Sequence, residues 1–473
     1  MHTKLKTHRW GFIVPFKIRT LLYIQVLLCF LTACTDFVEV DLPKDKITSE
    51  TVFSDPAIAE SALKGIYAKM RDAGVFSAYS GLNDLMGIYT DELDYPSSSQ
   101  TSLEFYNHNL LANNSTIRSW WSSAYNQIYE ANALIEGVTN STTLSDAIKD
   151  QFIGEALCIR AYLHLYLVEL FGDIPYITSK DYAANTNATR MPKDVVYNNI
   201  IDDLTLAESL LPEDADEDNS DRIRIYKAVA TAVLARTYLY TENWALAEAA
   251  STRVINKFGA LEPDLDQVFL RESSGILWQF KSRLNGHPTQ EALTFIINLL
   301  PTDNVALTES LFNAFEPNDL RKDAWIGTIT NSTNTETLHY PFKYKEQLLT
   351  SPTAEYSVQL RLAEQYLIRA EARAQQGDVP GAQADINAIR NRAGLANTTA
   401  ATLNELLAAI LQERRVELFT ERGHRWFDLK RMGKATEVLA PIKSGWRVTD
   451  LLLPIPENEL LVNPNLLPQN DGY

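Results

Sequence analysis

The residues able to do chemistry are few and poorly spaced for it. Beyond Cys34 the chain holds five histidines, His108, His164, His287, His339 and His424, and no two stand four apart, the spacing that sets two imidazoles on one helix face around zinc. There is no G-x-S-x-G elbow to expose a serine, no phosphate-cradling P-loop and no C-x-x-C pair. Nucleophilic, metal and nucleotide chemistry lack a warrant, and neither a metal nor a cofactor is expected. Carboxylates are abundant, 60 Asp and Glu, and a glycosidase needs only two of them roughly 5–10 Å apart, a separation that chain order does not fix. The acidic run "EDADEDNSD" at 213–221 sets Asp214, Asp216 and Asp218 in the alternation of a calcium loop. Asn219 stands where that loop needs glycine, however, and Ile225 where it needs the bidentate glutamate, so the run reads as a solvated turn. Cys158, within "GEALCIRAYLHLYL", has no partner and reads as a small buried hydrophobe.

The amino terminus carries a different chemistry. Lys4, Lys6, Arg9, Lys17 and Arg19 precede an apolar stretch over 21–31 broken only by Gln25. A membrane span needs about 20 apolar residues; this run is shorter and has the form of an export signal. Leu31-Thr32-Ala33-Cys34 resembles the bacterial lipobox, in which cleavage falls before a cysteine that carries lipid. The expected organisation is a signal peptide over 1–33, lipidation at Cys34 and a lipidated, extended tether over 34–46. Each buried methylene adds about 0.8 kcal/mol and a single acyl chain holds only marginally, so stable attachment needs several. Cleavage would remove five positive charges and no negative ones from a chain of net charge −17. So acidic a body repels phosphate polymers, and nucleic acid is not an expected partner.

From residue 47 the pattern is mainly α. We expect one globular helical domain over 47–473, with an N-terminal part at 47–258, an irregular middle at 259–355 and a C-terminal helical part at 356–473. In "SDPAIAESALKGIYAKMRD" a cap at Ser54 or Asp55 and Pro56 in the first turn start a helix whose apolar stripe is Ile58, Ala62, Leu63, Ile66 and Met70. Further helices are expected over 117–136, 151–170, 193–211, 223–240, 244–257, 358–376, 379–392 and 402–421. In the middle, "GILWQFKS" alternates like a strand, whereas "TNSTNTET" and "PFKYKEQLLTSP" are loop-like. Ala235, Ala247 and Val254 lie at the same offsets as Ala370, Ala382 and Ile389, small residues that let two antiparallel helices approach as in a tetratricopeptide hairpin. Trp121, Trp278 and Trp426 are assigned to packing. The segment 413–433, "ERRVELFTERGHRWFDLKRMG", interleaves acids and bases too closely for a basic patch and reads as a paired structural network.

Taken in order, "GEALCIRAYLHLYLVELFGDIPYIT", "LARTYLYTENWALAEAA", "LRLAEQYLIRAEARAQQGDVPGAQADINAIRNRAGL", "ERRVELFTERGHRWFDLKRMG" and "LLPIPENELLVNPNLLPQNDGY" resemble the SusD/RagB family of outer-membrane lipoproteins from glycan-foraging bacteria, over Cys34 to Tyr473. The resemblance implies four tetratricopeptide-like hairpins as scaffold and a variable loop and short-strand region that carries the ligand. It also implies a lipid-anchored, surface-exposed position in the outer membrane, as a lid over a SusC-type TonB-dependent channel to which oligosaccharides pass without catalysis. The quoted motifs are scaffold, so Cys34 is the one functional residue they carry over.

Ligand residues must come from physics. A sugar offers a flat C–H face and a rim of hydroxyls, which suits an exposed aromatic plate edged by amide, carboxylate or guanidinium groups. The candidates are Tyr89, Asp91, Asp94 and Tyr95 in "IYTDELDYPSSSQ", Arg283, Asn285 and His287 in "SRLNGHPTQ", and Trp325 with Asn331 in "RKDAWIGTITNSTN", Trp325 foremost. Importers of peptides or other oligomers share the architecture. A lipid-anchored glycoside hydrolase and a protein-binding scaffold are the rivals from other classes.

Overall fold

The computed structural model describes residues 53–77, 79–94, 99–214 and 221–473. The signal peptide, Cys34, the tether, Tyr95, Asp216, Asp218 and Asn219 lie outside them. Among the described residues no helix is long and apolar enough to cross a membrane.

Local rules set the first helix. Asp55 caps α1 (Pro56–Asp72) by accepting hydrogen bonds from the Ala57 and Ile58 N–H groups at 2.8 and 3.3 Å. Leu63, Ile66 and Met70 are buried as the stripe predicts, joined by Ala59 and Tyr67, while Ile58 is exposed. After α2 (Gln100–Tyr106) come α3 (Ser115–Asn140), α4 (Asp146–Phe171), α5 (Lys193–Leu210), α6 (Lys227–Tyr240) and α7 (Trp244–Phe258). Each of α3 to α7 packs on its neighbour in sequence. The body of α4 is buried all round rather than along one stripe, so its polar residues need partners. Arg160 makes a bidentate pair with Asp203 at 2.6 Å, and Glu155 accepts from Arg224 and Tyr67. Cys158 is fully buried, and burial pushes its thiol pKa up.

Past the middle segment, with its short helices α8 (Gln290–Phe295) and α9 (Leu320–Trp325), lie α10 (Leu362–Gln375), α11 (Val379–Arg392), α12 (Leu403–Glu417) and α13 (His424–Arg431). The hairpins α6–α7 and α10–α11 form as the spacing predicts, with all six signature residues buried. They also meet each other: α7 packs against α10, and Ala235, Leu239, Ala247, Ala250, Ile368 and Ala372 make one cluster. The chain between them is therefore looped out of a continuous helical stack. Ala382 sits in the adjoining cluster with Ile386, Leu406 and Ile410. Ala382→Leu should cost about 1–3 kcal/mol through overpacking, read as a lower urea midpoint.

Strands of the irregular part enter three two-stranded sheets among the described residues: β1 (Leu93–Asp94) with β3 (Ala306–Leu307), β2 (Ile276–Phe280) with β6 (Ser357–Arg361), and β4 (Ile326–Thr330) with β5 (Thr337–Pro341), all antiparallel. Two expectations change here. The helix expected from 358 begins at Leu362, because 357–361 pairs with β2; that partner lies far off in sequence, where a helical periodicity cannot register it. All five residues of β2 are buried rather than alternating, since α1 and α6 cover it.

The charged segment 413–433 is an internal network. Arg414 pairs with Asp428 at 2.6 Å, and Arg431 bridges Asp428 and Glu371. Glu417 is fully buried among Arg321, Arg361 and Arg392, and Lys343 donates to the carbonyls of Glu417 and Phe419 at 2.8 Å. Trp426 and Phe427 are buried beside it.

Candidate functional site

A polar concavity is built where α1 ends. Gly74 turns the chain at φ 79°, Ser80 adopts φ 58°, and a Cβ on Gly81 would lie 1.6 Å from the Ser77 carbonyl oxygen, so this close approach needs glycine at 81. Tyr79 stands 72 % exposed, its ring outside the hydrophobic core. Gly81 leads into a single π-helical turn over 82–86, an irregularity that often marks functional sites. That turn places Asp84 against a cavity of about 560 Å³, which Tyr79, Ser99, Gln290, Asp303 and Asn304 also line.

Asp84 is the unusual group. It is 7 % exposed, one carboxyl oxygen accepts from the Ser80 N–H at 3.3 Å, and Oδ1 has no hydrogen-bond partner among the described residues. Burial pushes its pKa up to about 7. A folded pKa raised above the unfolded value makes an acid destabilising as pH climbs through that interval. Asp84→Asn should therefore raise stability by roughly 2–4 kcal/mol at pH 8 and leave it nearly unchanged at pH 3.5, a difference that urea titrations at the two pH values would read.

The cavity continues along α8. Gln290 and Leu293 also line a neighbour of about 170 Å³, which includes Arg71, Arg283 and His287. Arg71, Phe280, Ser282 and Arg283 in turn line a third of about 610 Å³ that reaches Asn285 and Lys64. Through these shared lining residues the three cavities neighbour one another from Tyr79 to α1, and together they are called the groove.

Of the residues picked from sequence, Arg283, Asn285 and His287 stand exposed on this groove. Gly286, at φ 80°, shapes their loop, and the Thr353 hydroxyl donates to Asn285 Oδ1 at 2.9 Å. The others are placed elsewhere. Trp325 offers no plate: it is fully buried, its Nε1–H donates to the Leu265 carbonyl at 3.0 Å, and Phe269 meets it edge-on. Tyr89 is equally buried, donating to the Asp450 carbonyl at 2.8 Å. Asp91 is buried between Arg425 and Arg415, both at 2.7 Å. Asp94 is exposed but lines none of the three cavities; its partner is the Tyr106 hydroxyl at 3.3 Å. Asn331 organises the β4–β5 turn by accepting from the Thr335 and Glu336 N–H groups. Tyr79, Asp84, Gln290 and Asn304 escaped the sequence reading. The available signal was "FSAYSGLND", an aromatic residue set among serines and a glycine.

Two family models match the chain, one described as "Starch-binding associating with outer membrane" over residues 36–239 and one as "SusD family" over 248–473. SusD-like protein P2 of Formosa agariphila is 27 % identical, over 95 % of this chain and 98 % of that protein. SusD-like protein P25 of the same organism is 24 % identical, over 94 % and 97 %. Among solved structures, a laminarin binding SusD-like protein superposes with TM-score 0.74 at 24 % identity, covering 88 % of this chain and 99 % of that one. A SusD superfamily protein from Bacteroides vulgatus gives TM-score 0.77 at 19 % identity, covering 89 % and 100 %. At these identities the superpositions speak for the fold, and the family models speak for descent. With helical hairpins, looped-out middle and matched models in agreement, the chain belongs to the SusD family.

Proposed function

We propose that this protein is a lipid-anchored outer-membrane lipoprotein that captures oligosaccharides in the Tyr79 groove and passes them, unaltered, to a SusC-type TonB-dependent channel. The observation that carries the reading is the pairing, in one cavity, of an exposed aromatic ring with a buried carboxyl group whose one bonded oxygen accepts only the Ser80 N–H among the described residues. A sugar ring would lay its C–H face on Tyr79 and direct a hydroxyl to the Asp84 carboxyl group, with the Gln290 and Asn304 amides at the rim. Supporting carbohydrate as the ligand class is the laminarin-binding relative; supporting the outer membrane is the description of the N-terminal family model. Cys34 is the proposed point of lipid attachment.

Titration calorimetry and affinity gels over a broad polysaccharide panel test the ligand class. Binding to peptides with none to any glycan would overturn it. Labelling with palmitate tests the anchor, and co-purification with an outer-membrane channel tests the partner. A hydrolase reading has one observation in its favour, since Asp84 and Asp303 line the same cavity. Release of reducing ends on incubation with a bound glycan would establish it in place of passive capture.

A further inference from the structure

The groove changes character along its length. At the Tyr79 end its charged residues are acids, Asp84 and Asp303. At the α1 end, the cavity of about 610 Å³ is lined by Lys64, Arg71, Arg224, Lys281 and Arg283, with Glu60 the one carboxylate among the described residues that line it. Such a concentration of cations stands out in a chain of net charge −17.

Three of these bases are already engaged. Lys64 pairs with Glu60 at 3.0 Å, Arg71 holds Asp72 through two nitrogens at 2.6 Å, and Arg224 is shared between Glu60 and the buried Glu155. Lys281 and Arg283 are different. Both are exposed, and among the described residues neither has an ion-pair partner. They follow directly on β2, whose five residues are buried, and Arg71 donates its Nη1–H to the Lys281 carbonyl at 2.9 Å. The backbone that carries them is thus tied to α1. Arg283 also lines the middle cavity, next to His287, at the junction through which a ligand lying along the groove would run. Two cations on a tethered backbone, without ion-pair partners among the described residues, focus field on whatever occupies the concave site. A neutral sugar gains little from that arrangement, whereas a carboxylate or sulfate ester gains charge-assisted hydrogen bonds, bidentate in the case of Arg283.

We infer that the ligand is an anionic glycan whose carboxylate or sulfate ester is held by Lys281 and Arg283 in the cavity beside α1. The inference rests on the glycan reading above and narrows it to acidic sugars. It is tested by titrating the detergent-solubilised mature chain with length-matched oligosaccharides: neutral β-glucan fragments, oligogalacturonates for the carboxylate, and carrageenan fragments for the sulfate ester. We expect one of the anionic sets to bind at least tenfold more tightly than the neutral set at 20 mM NaCl, with that advantage falling at least threefold at 300 mM. Which set wins distinguishes carboxylate from sulfate. The double variant Lys281→Ala/Arg283→Ala should bring the advantage to within twofold while leaving the melting temperature unchanged. The exchange Lys281→Arg/Arg283→Lys should keep most of it. Neutral fragments bound as tightly as both anionic sets would overturn the inference and leave glycan capture standing. An advantage that survives the double alanine variant, or no binding to either anionic set, would also overturn it, whereas the glycan reading falls only if the whole polysaccharide panel fails to bind.

Discussion

Replacing Glu417 with alanine should destabilise the protein by about 3–5 kcal/mol, the cost of stripping the partner from buried charges. Its two carboxyl oxygens accept from Arg361, from Arg392 at 2.6 Å and from Arg321 at 3.2 Å. Burial alone would raise its pKa, but the three guanidinium groups hold it well below the usual carboxylate range. A depressed folded pKa contributes stability that is present above the unfolded value and lost as pH falls through the folded one. At neutral pH the whole contribution is in place. Removing the carboxylate leaves three guanidinium groups facing one another around a void. Asp319 and Glu413 still neutralise Arg321, whereas Arg392 has no other ion-pair partner among the described residues. Urea unfolding at pH 7 would measure the effect as a shift in midpoint at constant slope. A loss under 1 kcal/mol would mean that the network relaxes around the gap and that its charges are not mutually dependent.

The second large effect separates two aromatic residues. Trp325→Ala should cost about 3–5 kcal/mol of stability, as removal of a fully buried tryptophan does, and should change ligand affinity only as far as the fold loosens. Tyr79→Ala should alter stability by no more than about 0.5 kcal/mol, since its ring is exposed, yet weaken glycan binding about 30-fold, the loss typical of a stacking anchor. Melting temperature and calorimetric affinity, measured on both variants, would show opposite patterns. If Tyr79→Ala kept full affinity and Trp325→Ala lost it at an unchanged melting temperature, the binding surface would have to be moved to the β4 side of the molecule.

That contrast explains what could be read in advance. Hairpin α10–α11 was legible because its information is local: small residues at fixed offsets and an apolar period of 3.6; the structure adds Asp378 as the cap of α11, accepting from the Gly381 N–H. The network at 413–433 was legible as paired because acids and bases interleave within two helical turns. Its partners were not, since Arg321, Arg361 and Glu371 come from other elements. Trp325 misled because a tryptophan next to a polar turn looks solvated. The turn belongs to the far end of the β4–β5 hairpin, and the indole sits at its base, where Leu265 accepts its N–H. Tyr89 and Asp91 misled for the same reason: their partners Asp450, Arg415 and Arg425 lie more than 300 residues away.

By itself the sequence determined a helical body with close-packed hairpins and an internally neutralised charge cluster, because periodicity, caps and small-residue spacing act over a few turns of one chain segment. Only the tertiary structure decided which polar residues face solvent in a concave surface. The segments 79–84, 99–102, 282–294 and 303–305 form the groove together, and the exposure of each side chain there depends on what the other segments leave uncovered.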